Sequence, residues 1–251
     1  MITIAHLSDL HLCSTPKEVI YGVNPYDNLL QTVHLLNSID DIDVCIITGD
    51  ISNDATKPSY ELADTILSEL SFPVFITPGN HDREEILSTV IFKKIRIIEF
   101  FSLKDIDFIS VNTTVKGDDG LNRSRGMIDK KEIGKLISNL NKSNNPKIIY
   151  MHHPVTLTDS WLDRRIVINR EEFIDCISSA KKVLAVLAGH NHYYTNCQIN
   201  NCIYTTAPSV STSYDKDLKP FEEANKPGFS IIRIDGEECN ICRITTISKF
   251  L

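Results

Sequence analysis

Apolar residues follow two alternating patterns along this chain. Short apolar runs at 2–7, 44–48, 74–77, 95–101, 108–111, 147–151 and 183–188 predict buried strands. Between them, apolar positions recur every three or four residues. That spacing predicts helices over 26–38 (Leu29, Val33, Leu36), 59–70 (Leu62, Ile66, Leu70), 129–140 (Ile133, Leu136, Ile137, Leu140) and 171–179. A short helix is expected from about Arg83. The tail changes character: 194–199, 203–206, 229–234 and 239–246 read as four strands with no helix between them. Asn200-Asn201 and Asp235-Gly236 are candidate hairpin turns. In a two-residue hairpin at Asn200-Asn201, Ile199 opposes Cys202 and Cys197 opposes Tyr204, so the two thiols are out of register. Mixed α/β followed by antiparallel β predicts an α/β fold with two packed mixed sheets and helices outside, as one domain over 1–251.

Five of these strands end in the same few polar residue types. The clusters are Ser8-Asp9-Leu10-His11, Gly49-Asp50, Pro78-Gly79-Asn80-His81-Asp82, His152-His153-Pro154 and Gly189-His190-Asn191-His192. Ligands of α/β sheets bind beyond the carboxyl ends of strands, so the five clusters are expected to meet in one place. Asp, His and Asn offer oxygen and nitrogen donors suited to manganese, iron or zinc. In Asp9-x-His11 and His190-x-His192 the period of two brings both donors to one side of an extended segment. Asp50 has two oxygens and can bridge two ions. The chain has eight His; five lie in these clusters and His153 adjoins one, leaving His6 and His34 to structural roles.

Composition narrows the partners. The formal net charge of −7 argues against a protein that binds many phosphates of a polynucleotide. No apolar stretch is long enough to cross a bilayer, and the N-terminus lacks a basic start and an apolar stretch, so no membrane association and no signal peptide are expected. Seven Cys, an odd number without an export signal, fit a reducing cytoplasm with every thiol free. Cys239-x-x-Cys242 lacks a partner pair or a helix start and reads as strand packing. Cys13, two residues past His11, reads as a packed thiol bordering the site.

The order DxH, GD, GNHD, H, GHxH closely resembles the calcineurin-like metallophosphoesterase superfamily, over Asp9 to His192. The resemblance implies a four-layer αββα sandwich with a two-metal site at the strand carboxyl ends. It assigns Asp9, His11 and His192 to one metal and Asn80, His152 and His190 to the other, with Asp50 between them and His81 at the catalytic position. The cofactors implied are two divalent ions, manganese and iron first, zinc also allowed. Protein Ser/Thr phosphatases carry Asp-Arg-Gly after the bridging Asp; here Asn53-Asp54-Ala55 follows instead. His152-His153-Pro154, Leu162-Asp163-Arg164-Arg165, Asn169, Ala207-Pro208-Ser209 and Pro227-Gly228-Phe229 make the chain look like the bacterial class III cyclic nucleotide phosphodiesterases. The implied activity is hydrolysis of a small phosphodiester, with 3′,5′-cyclic AMP to 5′-AMP as the leading reaction. Glycerophosphodiesters, nucleotide sugars, lipid pyrophosphates and phosphomonoesters are the alternatives, and a non-catalytic metal-bound scaffold is the rival of a different class. The sequence leaves a homodimer open.

Some roles stay open at this stage. Asp82 is either part of the catalytic set with His81, or a helix N-cap forming a capping box with Glu85. The segment 156–168 carries Trp161, Arg164 and Arg165; with Asn80 and His81 these are the candidate substrate contacts, and a plain surface loop with a half-buried Trp is the equal alternative. Residues 21–28 are a second candidate wall.

Overall fold

Successive residues of the central strands go to different cores, and that alternation builds the layers. A computed structural model describes residues 1–115, 124–214, 217, 227–235 and, for the backbone alone, 238–245. In the first sheet β1 (Ile2–Leu7) lies beside β2 (Val44–Ile47), β3 (Val74–Ile76) and β4 (Ile95–Arg96), all parallel. On its other side β1 pairs antiparallel with β11 (Gly228–Asp235), which pairs with β12 (Glu238–Thr245). In the second sheet the order is β5 (Phe100–Leu103), β6 (Ile106–Val111), β7 (Lys147–Met151), β8 (Val183–Ala188), β10 (Cys202–Thr206), β9 (Thr195–Ile199).

Ile2, Ile4, Val44, Ile46 and Phe75 of the first sheet form one core with Phe108, Ile148, Tyr150 and Leu187 of the second. The intervening residues Ala5, Leu7, Cys45, Ile47 and Ile76 face the helices α1 (Pro25–Asn37) and α2 (Lys57–Leu67), through Leu29, Val33, Leu36, Tyr60 and Ala63. Ile149, Met151 and Val186 likewise pack on α4 (Lys130–Leu140) and α5 (Arg170–Ser179), through Leu136, Leu140, Phe173 and Ile177. The result is the expected four-layer αββα arrangement of two mixed sheets. Three of the helices have side-chain caps: Asn24, Thr56 and Asp129 accept first-turn backbone N–H groups at α1, α2 and α4, and α2 begins two residues before its expected start. Among the described residues no helix is long and apolar enough to cross a membrane.

One expected strand is two. The run 95–101 divides into β4 of the first sheet and β5 of the second, and Ile97 and Ile98 between them are exposed. β4 must run parallel to β3, while β5 runs antiparallel to β6, so the chain crosses between the sheets here. The Asp64 carboxylate of α2 accepts the N–H groups of Lys93, Lys94 and Ile95 and fixes where β4 begins. Phe101 then stacks between Phe75 and Phe108, at 3.8 and 4.6 Å between ring centroids, across the two sheets. The short helix α3 spans Glu84–Leu87 only. The Asn200-Asn201 hairpin has the expected register: Ile199 opposes Cys202 and Cys197 opposes Tyr204. Cys13, Cys45, Cys176, Cys197 and Cys202 are free thiols. The expected Asp235-Gly236 turn involves Gly236, outside the described residues; β11 and β12 nevertheless pair with Asp235 opposite Glu238.

Candidate metal centre

The carboxyl ends of β1, β2, β3, β7 and β8 deliver all five polar clusters to one place. The loop after β1 is laid on the loop after β2 by backbone bonds from Asp9, His11 and Leu12 to the carbonyls of Gly49, Asp50 and Ile51. The glycines here are dictated by crowding. A Cβ at Gly49 would stand 2.5 Å from His152 Nδ1, and one at Gly189 would stand 1.7 Å from Ser8 Oγ and 2.9 Å from Asp9 Oδ2.

Seven side chains form two adjoining sets of donors. In the first, Asp9 Oδ1 lies 3.3 Å from His192 Nε2 and 3.9 Å from His11 Nε2. In the second, His152 Nε2 lies 3.0 Å from both Asn80 Oδ1 and His190 Nδ1. Asp50 Oδ2 stands between them, 3.7 Å from His11 Nε2 and 3.4 Å from His152 Nε2. Donors this close, from groups that do not otherwise share a hydrogen-bonding purpose, are what a pair of cations would draw together. His81 joins the same cluster, its ring 4.8 Å from that of His11.

The second nitrogens of three of these rings settle the orientation. His152 Nδ1 faces the Thr48 carbonyl at 2.7 Å, His192 Nδ1 faces that of Thr212 at 2.7 Å, and His190 Nε2 faces that of Ser124 at 2.8 Å. Donation to a carbonyl fixes the tautomer and turns the other nitrogen's lone pair toward the centre. Burial pushes His11 down to about 3 and His190 well below the ordinary imidazole range, favouring the neutral form that ligates metals. At His152 burial pulls down, but the charge and hydrogen bond of Asp50, with Asp9 and the Thr48 carbonyl, together hold the ring up at about 9. Burial pushes the Asp50 carboxyl up; His152 and His11 outweigh it and keep it well below the usual carboxylate range.

The backbone is strained at the same residues. Asp9, His11, Asp50, His190 and His192 have φ of 55°, 48°, 53°, 68° and 50°, in the left-handed region. Such residues cost roughly 1–3 kcal/mol each, and they cluster at functional sites because the surrounding structure holds them there.

The remaining expected residues fall in different places. Asp82 is no helix cap: α3 is preceded by Arg83, without a side-chain cap, and no capping box with Glu85 forms. The buried Asp82 carboxylate instead accepts the N–H groups of Gly79, Ser52 and Ile51 at 2.8, 3.1 and 3.3 Å, tying the β3 loop to the β2 loop. Burial, and then the Asp50 charge, push its carboxyl up to about 6. Trp161 and Arg165 lie in a 3₁₀ turn, Trp161–Arg165, and both reach Tyr214: the indole meets its ring edge-on at 5.6 Å, and the guanidinium carbon sits 5.8 Å above it. Tyr214 in turn stacks on His192 at 4.8 Å, planes 12° apart. Arg164 is exposed. His6 is buried against Thr48 Oγ1 at 3.0 Å, and His34 is an exposed residue of α1.

Sequence reasoning left His153 without a role. It is buried, with Nδ1 2.8 Å from Thr113 Oγ1 and its ring 4.4 Å from that of His190. Its place beside His152 was the only signal. Tyr214 and the three carbonyls gave none, since a backbone acceptor has no residue type.

Two packed mixed sheets with a carboxylate between two sets of donors could hold a pair of divalent ions. Residues 2–194 match the calcineurin-like phosphoesterase family, and the chain belongs to it: a metal-dependent hydrolase of phosphoric esters whose family uses a dinuclear divalent metal centre. Among its relatives is a Coxiella burnetii protein named a probable cyclic nucleotide phosphodiesterase, 31% identical over 88% of this chain and 86% of its own. Another is a 3′,5′-cyclic-nucleotide phosphodiesterase of Nostoc, 26% identical over 93% of this chain and 88% of its own. A dimetal phosphatase from Danio rerio shares the fold, with a TM-score of 0.71 at 15% identity, over 97% of this chain and 98% of that one.

Proposed function

We propose that this protein is a phosphodiesterase of small nucleotides that hydrolyses 3′,5′-cyclic AMP to 5′-AMP. Asp9, His11 and His192 would hold one divalent ion and Asn80, His152 and His190 the other, with Asp50 serving both. Manganese or iron suits these donors, and zinc fits them too. The observation that carries the reading is the position of Asp50 Oδ2 between His11 Nε2 and His152 Nε2. Two such ions, when bound, generate a nucleophile at neutral pH and stabilise the charge of an in-line displacement at phosphorus.

The chain's own residues do the rest. Asn80 and His81 stand beside the bridging carboxylate, where the phosphoryl group would lie. His81 Nδ1 is 3.4 Å from the Asn53 carbonyl, a contact that would leave Nε2 for the substrate. An alkoxide leaves poorly, and a proton from His81 offsets that cost. Asp82 is a positioning residue: it holds the amide of Gly79 and so the Asn80-His81 turn. Trp161 and Arg165 act through Tyr214 on His192.

Charge favours a diester. Two divalent ions bring four positive charges; Asp9, Asp50 and an attacking hydroxide bring three negative ones. A phosphodiester, singly charged, closes that balance, whereas a monoester near neutral pH exceeds it. The names of the Coxiella and Nostoc relatives support the same substrate class. The test compares kcat/KM for bis-p-nitrophenyl phosphate with p-nitrophenyl phosphate in Mn²⁺ at one pH, then 3′,5′-cyclic AMP with 5′-AMP. Diesters should win both comparisons. Faster monoester cleavage in both pairs overturns the reading.

A further inference from the structure

Beside His81 the surface opens into a polar cavity of about 270 Å³, lined by Asn53, Asp54, Ala55, Asn80, His81 and Arg83. It is several times too large for a phosphoryl group alone and close to the lower limit of small-molecule pockets, roughly 300 Å³. Its lining contains no Phe, Tyr or Trp, and the His81 ring and the Arg83 guanidinium are the lining groups with a flat face for a base.

Three observations show that the cavity is built rather than incidental. Ala55 has φ of 54°, a left-handed conformation that a residue with a Cβ adopts at a cost of roughly 1–2 kcal/mol. The loop that carries it is braced: Ser52 Oγ accepts the Ala55 N–H at 2.8 Å, and the Asp54 carboxylate accepts from Ser14 N, Thr56 N and Thr56 Oγ1. Opposite, Arg83 is held at both ends. The buried Tyr60 hydroxyl accepts its backbone N–H at 3.0 Å, and its Nη1 donates to the carbonyls of Asp82 and Asn80 at 3.1 and 3.4 Å. With Nη1 so engaged, Nη2 and Nε keep three N–H donors that bond to none of the described residues.

We propose that this cavity is the subsite for the alcohol part of the ester, and that Arg83 selects an alcohol rich in hydroxyl oxygens, a ribose or a similar polyol. This rests on the phosphodiesterase reading and adds to it a determinant of substrate choice. A planar fork of donors fixed by its own backbone matches two neighbouring oxygens of a sugar, and little of its freedom remains to be lost on binding. Asn53 on the facing wall supplies a side chain that both donates and accepts.

The experiment compares 3′,5′-cyclic AMP with methyl p-nitrophenyl phosphate, a diester that carries no polyol, on the wild type, Arg83→Ala, Arg83→Lys and Asn53→Ala. Loss of charged hydrogen bonds to the sugar should raise KM for cyclic AMP about tenfold in Arg83→Ala, with a much smaller change in kcat. The fall in kcat/KM on cyclic AMP should exceed that on methyl p-nitrophenyl phosphate by about the same factor. Arg83→Lys should recover part of it, and Asn53→Ala should shift in the same direction. Equal losses on the two esters, or an unchanged KM for cyclic AMP in Arg83→Ala, overturn the subsite while leaving the phosphodiesterase reading intact. A wild type that cleaves neither diester overturns that reading, and the subsite with it.

Discussion

The His81 backbone N–H donates to Asp50 Oδ1 at 2.8 Å. That bond occupies one carboxylate oxygen, holds the plane of the group, and leaves Oδ2 facing the two donor sets. Asp50→Ala removes the carboxylate that stands between the two sets. Metal analysis should then find fewer than two ions per chain, and turnover should fall at least about a hundredfold. Full two-metal content in this variant would sink the bridging role.

His81 is expected to act on the leaving group. His81→Ala should then damage hydrolysis of cyclic AMP far more than that of bis-p-nitrophenyl phosphate, whose phenolate leaves with little help from a proton. Equal losses would move the role to the phosphoryl oxygens.

Tyr214 should matter to the first donor set without touching it as a ligand. Its ring stacks on His192 and its N–H donates to the His192 carbonyl at 3.0 Å. Tyr214→Ala should weaken metal retention about tenfold in a chelator titration, while Tyr214→Phe, which keeps the ring, should stay near the wild type. Matching losses in both variants would show that the hydroxyl, rather than the stack, is what counts.

Two glycines should respond oppositely to one methyl group. At Gly189 a Cβ collides with Ser8 Oγ and nearly touches Asp9 Oδ2, so Gly189→Ala should cost about 2 kcal/mol and loosen metal binding. Gly134 lies exposed in α4 with nothing within 4 Å of an added Cβ. There Gly134→Ala should add roughly 0.5–1 kcal/mol by favouring the helix. Thermal unfolding of the two variants checks both signs.

Strands with both faces buried were the most legible part of the fold: 147–151 and 183–188 have the bounds their apolar runs suggest, because the buried apolar run gives way there to a buried polar cluster. The run at 95–101 is equally apolar, yet it spans a change of sheet, and hydrophobicity carries no mark of which sheet a residue joins. The seven ligand-type residues were legible from their types and spacing, as donors grouped at strand ends. The cap that was one of two open roles for Asp82 does not form: Asp-x-x-Glu ahead of a helix is a local pattern, whereas the amides it serves at Ser52 and Ile51 come from another loop. Trp161 and Arg165 stood out as residue types in the 156–168 segment, but their contact with Tyr214 joins segments about fifty residues apart, which no local pattern encodes.

The place of β1 between β2 and β11 has a consequence for synthesis on the ribosome. Its first neighbour, Val44–Ile47, follows it closely along the chain, but its second, Gly228–Asp235, emerges far later. The Asp9 carbonyl waits as long for its partners, since Ser209 and Ser211 hold it at 2.9 and 3.0 Å from two hundred residues downstream. Closing so long a loop comes late and slowly in folding. A nascent chain therefore carries the donors Asp9 and His11 without the enclosure that shapes them until the segment around Ser209–Ser211 and β11 has emerged.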